Sequence, residues 1–166
     1  MTTPVRAALG LGSNLGNRAT HLASAVETLR ATPQVVVVAV SPFVETDPVG
    51  GPEQPDFLNA VVVVETTLSP EELLGLAHQC ERGADRERGE RWGRRTLDVD
   101  VLAYGDLTSD DPELTLPHPR ATERAFVLVP WAVVDPEFVV GGRLVADWAS
   151  GVDTSGVRPS VQVEEG

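Results

Sequence analysis

Apolar and polar residues alternate along the chain in blocks whose periods predict its elements. Residues 5–11 form an apolar run that reads as a buried strand, followed by the turn-rich Gly12-Ser13-Asn14-Leu15-Gly16-Asn17. From Arg18 to Arg30, Leu22, Val26 and Leu29 recur at helical spacing, with Asn17 placed as the N-cap. Residues 34–45 are rich in valine and predict one long strand. The stretch 46–55 holds too much proline and glycine for regular structure. A further strand is expected over 57–67. Ser69-Pro70-Glu71-Glu72 then opens a helix with a cap, a first-turn proline and dipole-complementing acids, running to about Arg82. A Gly- and Arg-rich loop to Arg95 leads into a strand over 96–104, and residues 114–119 read as extended. Residues 124–134 and 143–150 are expected to be helical, and a polar tail follows. The order β-α-β, long loop, β-α-β is that of an α+β sandwich with a mainly antiparallel sheet. A doubly wound parallel sheet fits less well, because no helix separates the strands on either side of the 46–56 loop. Loops of that length in compact domains are usually functional.

Composition narrows the function classes. The 166 residues are 42% hydrophobic, enough for one domain with one sizeable core, expected over 1–150 with a flexible polar tail at 151–166. There is no lysine, which excludes the P-loop lysine, the kinase strand lysine and Schiff-base chemistry. Cys80 is the sole cysteine, so neither an intramolecular disulfide nor a cysteine-cluster zinc site can form. No leader-like segment and no membrane span is read; the expectation is a soluble, cytoplasmic protein. The net charge of −12 opposes binding to nucleic acid or anionic lipid. Yet six of the thirteen arginines, 82, 86, 88, 91, 94 and 95, cluster with only three acids among them. Such a segment fits either a small polyanion or a salt-bridged helix end.

The sharpest chemical feature is Leu97-Asp98-Val99-Asp100-Val101. Its period of two puts both carboxylates on one strand face, with α-carbons roughly 6.5 Å apart. That pair can hold divalent cations beside phosphates, and oxygen-only ligands favour magnesium. An exposed strand face is the plainer reading, though aspartate is disfavoured in strands. His118 lies between Pro117 and Pro119, which stiffen the backbone and hold the imidazole in one direction. This suits a phosphate contact or proton transfer; a histidine packed in a rigid turn is equally compatible. His21 and His78 read as ordinary helix residues. Trp92 among arginines, Phe57, Phe126 and Asn59 could together hold a flat heteroaromatic ligand. Gly10 to Gly16 resembles a dinucleotide fingerprint only superficially: the spacing is off by one, and NAD is rejected.

Four motifs occur in one order: Gly12-Ser13-Asn14-Leu15, Pro55-Asp56-Phe57-Leu58-Asn59-Ala60, Arg91-Trp92-Gly93-Arg94-Arg95-Thr96-Leu97-Asp98-Val99-Asp100 and Leu116-Pro117-His118-Pro119-Arg120. Together they closely resemble the 6-hydroxymethyl-7,8-dihydropterin pyrophosphokinase family, over roughly residues 5–136. The resemblance implies a ferredoxin-like fold with two long active-site loops. It implies transfer of the β,γ-pyrophosphoryl group of ATP to the pterin hydroxymethyl oxygen, releasing AMP, in folate biosynthesis. By the same resemblance Asp98 and Asp100 would hold two magnesium ions, with Arg86, Arg95 and His118 completing the catalytic set. ATP would meet His78, Glu81, Arg86, Arg88, Arg91, Trp92, Arg95, Thr115, His118 and Arg124, with Arg86 and Arg88 on a mobile loop. The pterin would meet Thr46, Asp47, Val49, Phe57, Asn59, Trp92 and Phe126. The partners implied are these small molecules alone, for a monomer.

Four departures from the family pattern stand out: Arg94 and Asp47 at positions where proline is usual, Asp85 where glycine is familiar, and Glu113 where some members carry arginine. None touches Asp98, Asp100, Asn59 or Trp92, so the expected reaction type is unaffected. Two other classes fit the same residues less fully. A ferredoxin-like nucleotidyltransferase would release pyrophosphate rather than AMP, and a non-catalytic nucleotide-binding domain would bind ATP without turnover.

Overall fold

The structure, a computed structural model, describes residues 3–13, 18–46, 57–88 and 97–159, with the backbone alone for 84–88. Its elements are β1 (Val5–Ser13), α1 (Arg18–Arg30), β2 (Val35–Val40), β3 (Val44–Thr46), β4 (Phe57–Thr66) and α2 (Pro70–Arg88). They continue with β5 (Asp98–Tyr104), β6 (Ser109–Asp111), β7 (Leu114–Leu116), a 3-10 turn (Ala121–Glu123) and α3 (Ala125–Val134). Last come β8 (Val139–Val140), β9 (Arg143–Leu144), α4 (Val145–Ser150) and β10 (Val157–Pro159). The main sheet runs β10-β3-β4-β1-β5, with β2 also on β4, and every pairing in it is antiparallel. The mixed α and β content and the mainly antiparallel sheet are as the sequence predicts.

The strands alternate because each face of the sheet meets its own helical layer. Ala7, Leu9 and Leu11 of β1, Leu58, Ala60, Val62 and Val64 of β4, and Val99 and Val101 of β5 pack with Leu22, Val26 and Leu29 of α1 and Leu73 and Ala77 of α2. The intervening positions Ala8, Val61, Val63 and Leu102 pack on the other side with Val127, Leu128 and Trp131 of α3, and with Val145 of α4. β4 therefore has no polar face over 60–64. Leu9, fully buried at the centre of β1, should cost about 2–5 kcal/mol when cut to alanine, a loss readable by urea unfolding. None of the described helices is long and apolar enough to cross a membrane.

Ser69 caps α2 as its sequence implies: Ser69 Oγ accepts from the Glu72 N–H at 3.1 Å, and the Ser69 N–H donates to Glu72 Oε1 at 2.8 Å. Several boundaries differ from the pattern-based expectations. The long strand expected over 34–45 breaks into β2 and β3, because Pro42 has no N–H for a ladder. Ser41 takes over there, its N–H donating to Val61 O and its Oγ accepting the Val61 N–H, both at 2.9 Å. Helix α2 continues past Gly83 to Arg88 rather than ending near Arg82; alanine, arginine and glutamate are good helix formers. The segment after Ser150 is not a free polar tail as far as Pro159. Val157–Pro159 pair with β3 as an edge strand, where a proline without an N–H is tolerated.

Candidate active site

Strand register carries the site. β1 continues to Ser13, so Gly12, like Gly10, is a strand residue rather than the start of a turn. One row across the sheet holds Val44, Asn59, Gly12 and Asp98, and the next holds Val61, Gly10 and Asp100. The two glycines leave a strip without side chains between the asparagine and the aspartates. A Cβ on Gly12 would lie 2.9 Å from Asn59 Oδ1, and one on Gly10 would lie 3.3 Å from Leu102 Cδ2. Gly12→Ala should therefore push the Asn59 amide out of place. A rise of about tenfold or more in the KM of a ligand read by Asn59, with an unchanged fold, would be the expected kinetic result.

Above this strip lies a cavity of about 670 Å³, lined by Gly10, Gly12, Thr46, Phe57, Asn59, Asp98, Asp100, Arg120, Glu123, Arg124 and Phe126. Asn59 and Thr46 are both buried, and Asn59 Nδ2 donates to Thr46 Oγ1 at 3.0 Å. That bond fixes the amide and leaves its oxygen toward the glycine strip. Arg124 lies over the Phe126 ring, 5.6 Å from its centroid.

A second cavity of about 290 Å³ is lined by His78, Glu81, Glu113, Thr115, His118 and again Asp100. Asp100 thus faces both. An extra residue in β5, Leu102, opposes the Ala8–Leu9 step as a bulge. Its carbonyl accepts the His118 N–H at 2.8 Å, which docks the Pro117-His118 segment beside the carboxylates. The peptide between Leu116 and Pro117 is cis.

His118 Nδ1 accepts the Arg120 N–H at 3.2 Å, so the neutral ring carries its proton on Nε2. Burial pushes the imidazole below its ordinary 6.5; Asp100 opposes the shift, while Arg124 and Arg120 add to it. In the metal-free protein an NMR titration of this ring should show a midpoint below 6.5. The unfolded chain takes up the proton first as pH falls. Stability from the neutral ring is therefore lost as pH falls from 6.5 toward the folded midpoint, and H118Q should remove that slope.

Asp98 is exposed and Asp100 half-buried on the same face. Among the described residues no group of three or more His, Cys, Asp or Glu could hold a metal ion. Two carboxylates beside an open cavity fit a hard cation that completes its shell with water and phosphate oxygens, and do not fit a zinc cage.

The structure brings together all of the expected residues whose side chains it describes: Thr46, Phe57, Asn59, Phe126, Arg124, Asp98 and Asp100 around the larger cavity, and His78, Glu81, Thr115 and His118 around the smaller. Arg124, expected with ATP, lines the larger cavity. Asp47, Val49, Arg91, Trp92, Arg94 and Arg95 lie outside the described residues, as do the side chains of Asp85, Arg86 and Arg88. Arg120 and Glu123 are lining residues that the sequence reading missed. Arg120 follows directly on the Pro-His-Pro motif, which is the signal that could have found it.

Two cavities share Asp100, one flanked by aromatic rings and an amide, the other by a histidine and a threonine. A family model described as 7,8-dihydro-6-hydroxymethylpterin-pyrophosphokinase (HPPK) matches residues 8–136. The chain is 47% identical over 153 residues to the 2-amino-4-hydroxy-6-hydroxymethyldihydropteridine pyrophosphokinase of Methylorubrum extorquens, covering 92% of this chain and 97% of that one. It is 45% identical over 126 residues to the Bacillus subtilis protein of the same name, covering 76% and 75%. The chain belongs to the HPPK family. Among solved structures, a Plasmodium falciparum HPPK-DHPS triple mutant with pteroate superposes at TM-score 0.69 and 15% identity. That match covers 90% of this chain but 43% of the other, and bears on the fold alone.

Proposed function

We propose that this site performs the pyrophosphokinase reaction with Asp98 and Asp100 at its centre, an assignment that rests on Asp100 lining both cavities. The chain transfers the β,γ-pyrophosphoryl group of ATP to the hydroxymethyl oxygen of 6-hydroxymethyl-7,8-dihydropterin, in folate biosynthesis. A bond forms from that oxygen to the β-phosphorus as the bond to the α,β-bridging oxygen breaks; the electron pair leaves with AMP and the hydroxyl proton is released to solvent. Such chemistry needs positioning and charge neutralisation rather than a covalent protein intermediate.

The larger cavity suits the pterin. Its heterocycle lies over the glycine strip, flanked by Phe57 and Phe126, with Asn59 and Thr46 reading its hydrogen-bonding edge. The smaller cavity suits the nucleotide, with His78, Thr115 and the Nε2–H of His118 at its wall. Arg120 and Arg124 add positive charge beside Asp100. Asp98 and Asp100 would hold two magnesium ions, which when bound neutralise phosphate charge and bring the two substrates into line. Asp47, Val49, Arg86, Arg88, Arg91, Trp92 and Arg95 complete the proposal from the family resemblance. The order β5-β1-β4-β2, with α1 and α2 on one face, supports the ferredoxin-like reading, while the two long active-site loops rest on the family resemblance. A single domain that includes β10, acting as a cytoplasmic monomer, is the accompanying proposal.

NMR shift mapping tests the division of labour. Dihydropterin alone should move the Asn59 side-chain amide and the Gly10 and Gly12 amides; ATP with magnesium should move Thr115 and His118. The reverse pattern contradicts the assignment.

A further inference from the structure

Among the described residues, strand β5 is the edge of the main sheet, paired with β1 on one side only. On its outer side the Val99 N–H, between the two aspartates, donates to Glu81 Oε2 at 2.8 Å. Glu81 comes from α2, eighteen residues earlier, and is 8% exposed; Val99 is 3% exposed. A buried main-chain donor on an open strand edge would otherwise lack a ladder partner.

We propose that Glu81 is a positioning residue: its carboxylate, bonded to the Val99 amide, sets the direction in which Asp98 and Asp100 face the junction of the two cavities. The peptide unit carrying that N–H joins Asp98 to Val99, so holding it fixes ψ of Asp98 and φ of Val99. On the inner side the same strand is held by the register of Asp98 on Gly12 and Asp100 on Gly10. The carboxylate pair is thus gripped from both sides, by the sheet and by a helix. The inference rests on the reading of Asp98 and Asp100 given above. It differs from a nucleotide contact in its readout: loss of the acceptor should free the Val99 amide and lower kcat rather than raise the KM for ATP.

The test compares wild type, E81Q and E81A in two measurements; E81M, which fills the volume without an acceptor, replaces E81A if that variant does not fold. In the metal-free protein, hydrogen exchange of the Val99 amide should quicken at least about tenfold in E81A and stay near wild type in E81Q. In the assay with ATP, dihydropterin and magnesium, E81A should lose about 10–100-fold in kcat and need correspondingly more magnesium, with little change in the KM for ATP. E81Q should recover most of that loss. Unchanged Val99 exchange in E81A overturns the proposal. So does E81Q failing as badly as E81A, or a defect confined to the KM for ATP. Normal turnover in both D98N and D100N would instead sink the carboxylate reading, while Val99 exchange would still report on the Glu81 bond itself.

Discussion

Asp100→Ala should lower turnover by roughly 10³-fold or more while shifting Tm by no more than a few degrees. Asp100 is the carboxylate that lines both cavities, and it is half-buried beside His118. On the proposed assignment, removing it takes away charge where the phosphoryl group is transferred, worth several kcal/mol in such sites. The fold should tolerate the change, because Asp100 points away from the α1/α2 core and its register partner is Gly10. Steady-state kinetics with thermal melts separates the two effects. Turnover within tenfold of wild type would show that the carboxylate is not at the reacting phosphate. Asp98→Ala should behave similarly.

The second large effect is expected at Asn59. Asn59→Leu keeps the volume but removes the amide that Thr46 orients at 3.0 Å. A buried site built to hydrogen-bond a ligand edge discriminates strongly once that partner is lost. The kcat/KM for dihydropterin should fall by about 10²-fold or more, with ATP binding largely retained. The stability loss should stay within about 1–3 kcal/mol, from the Thr46 hydroxyl left without its partner. A loss confined to ATP affinity would move Asn59 to the other cavity.

The features legible in the sequence are those with local causes. The period of two in 97–101 placed both aspartates on one face, and they share the larger cavity. The 3.6-residue spacing of Leu22, Val26 and Leu29 placed α1 at Arg18–Arg30. The Ser69 cap is likewise local. What could not be read depends on partners distant in the chain. Gly12 looks like a turn residue by propensity, yet it is a strand position because β4 and β5 flank it. The bond from Glu81 to Val99 joins a helix end to a strand, and no spacing rule announces it. Val157–Pro159 carries no strand signal of its own; the free edge of β3 makes it one. The split at Pro42 was readable in principle, since proline interrupts a ladder, but the valine-rich run outweighed it. The expectations for Asp47, Val49, Arg91, Trp92 and Arg95 rest on the family resemblance and fall outside the described residues.

The central claim is pyrophosphoryl transfer at the Asp98–Asp100 pair, and resolving the products tests it most directly. With ATP, magnesium and 6-hydroxymethyl-7,8-dihydropterin, the protein should form AMP and pyrophosphorylated pterin one for one. It should form no AMP without the pterin, and little in the Asp100→Ala variant. Accumulation of ADP, release of free pyrophosphate with a nucleotidylated acceptor, or equal AMP formation by Asp100→Ala would contradict the account.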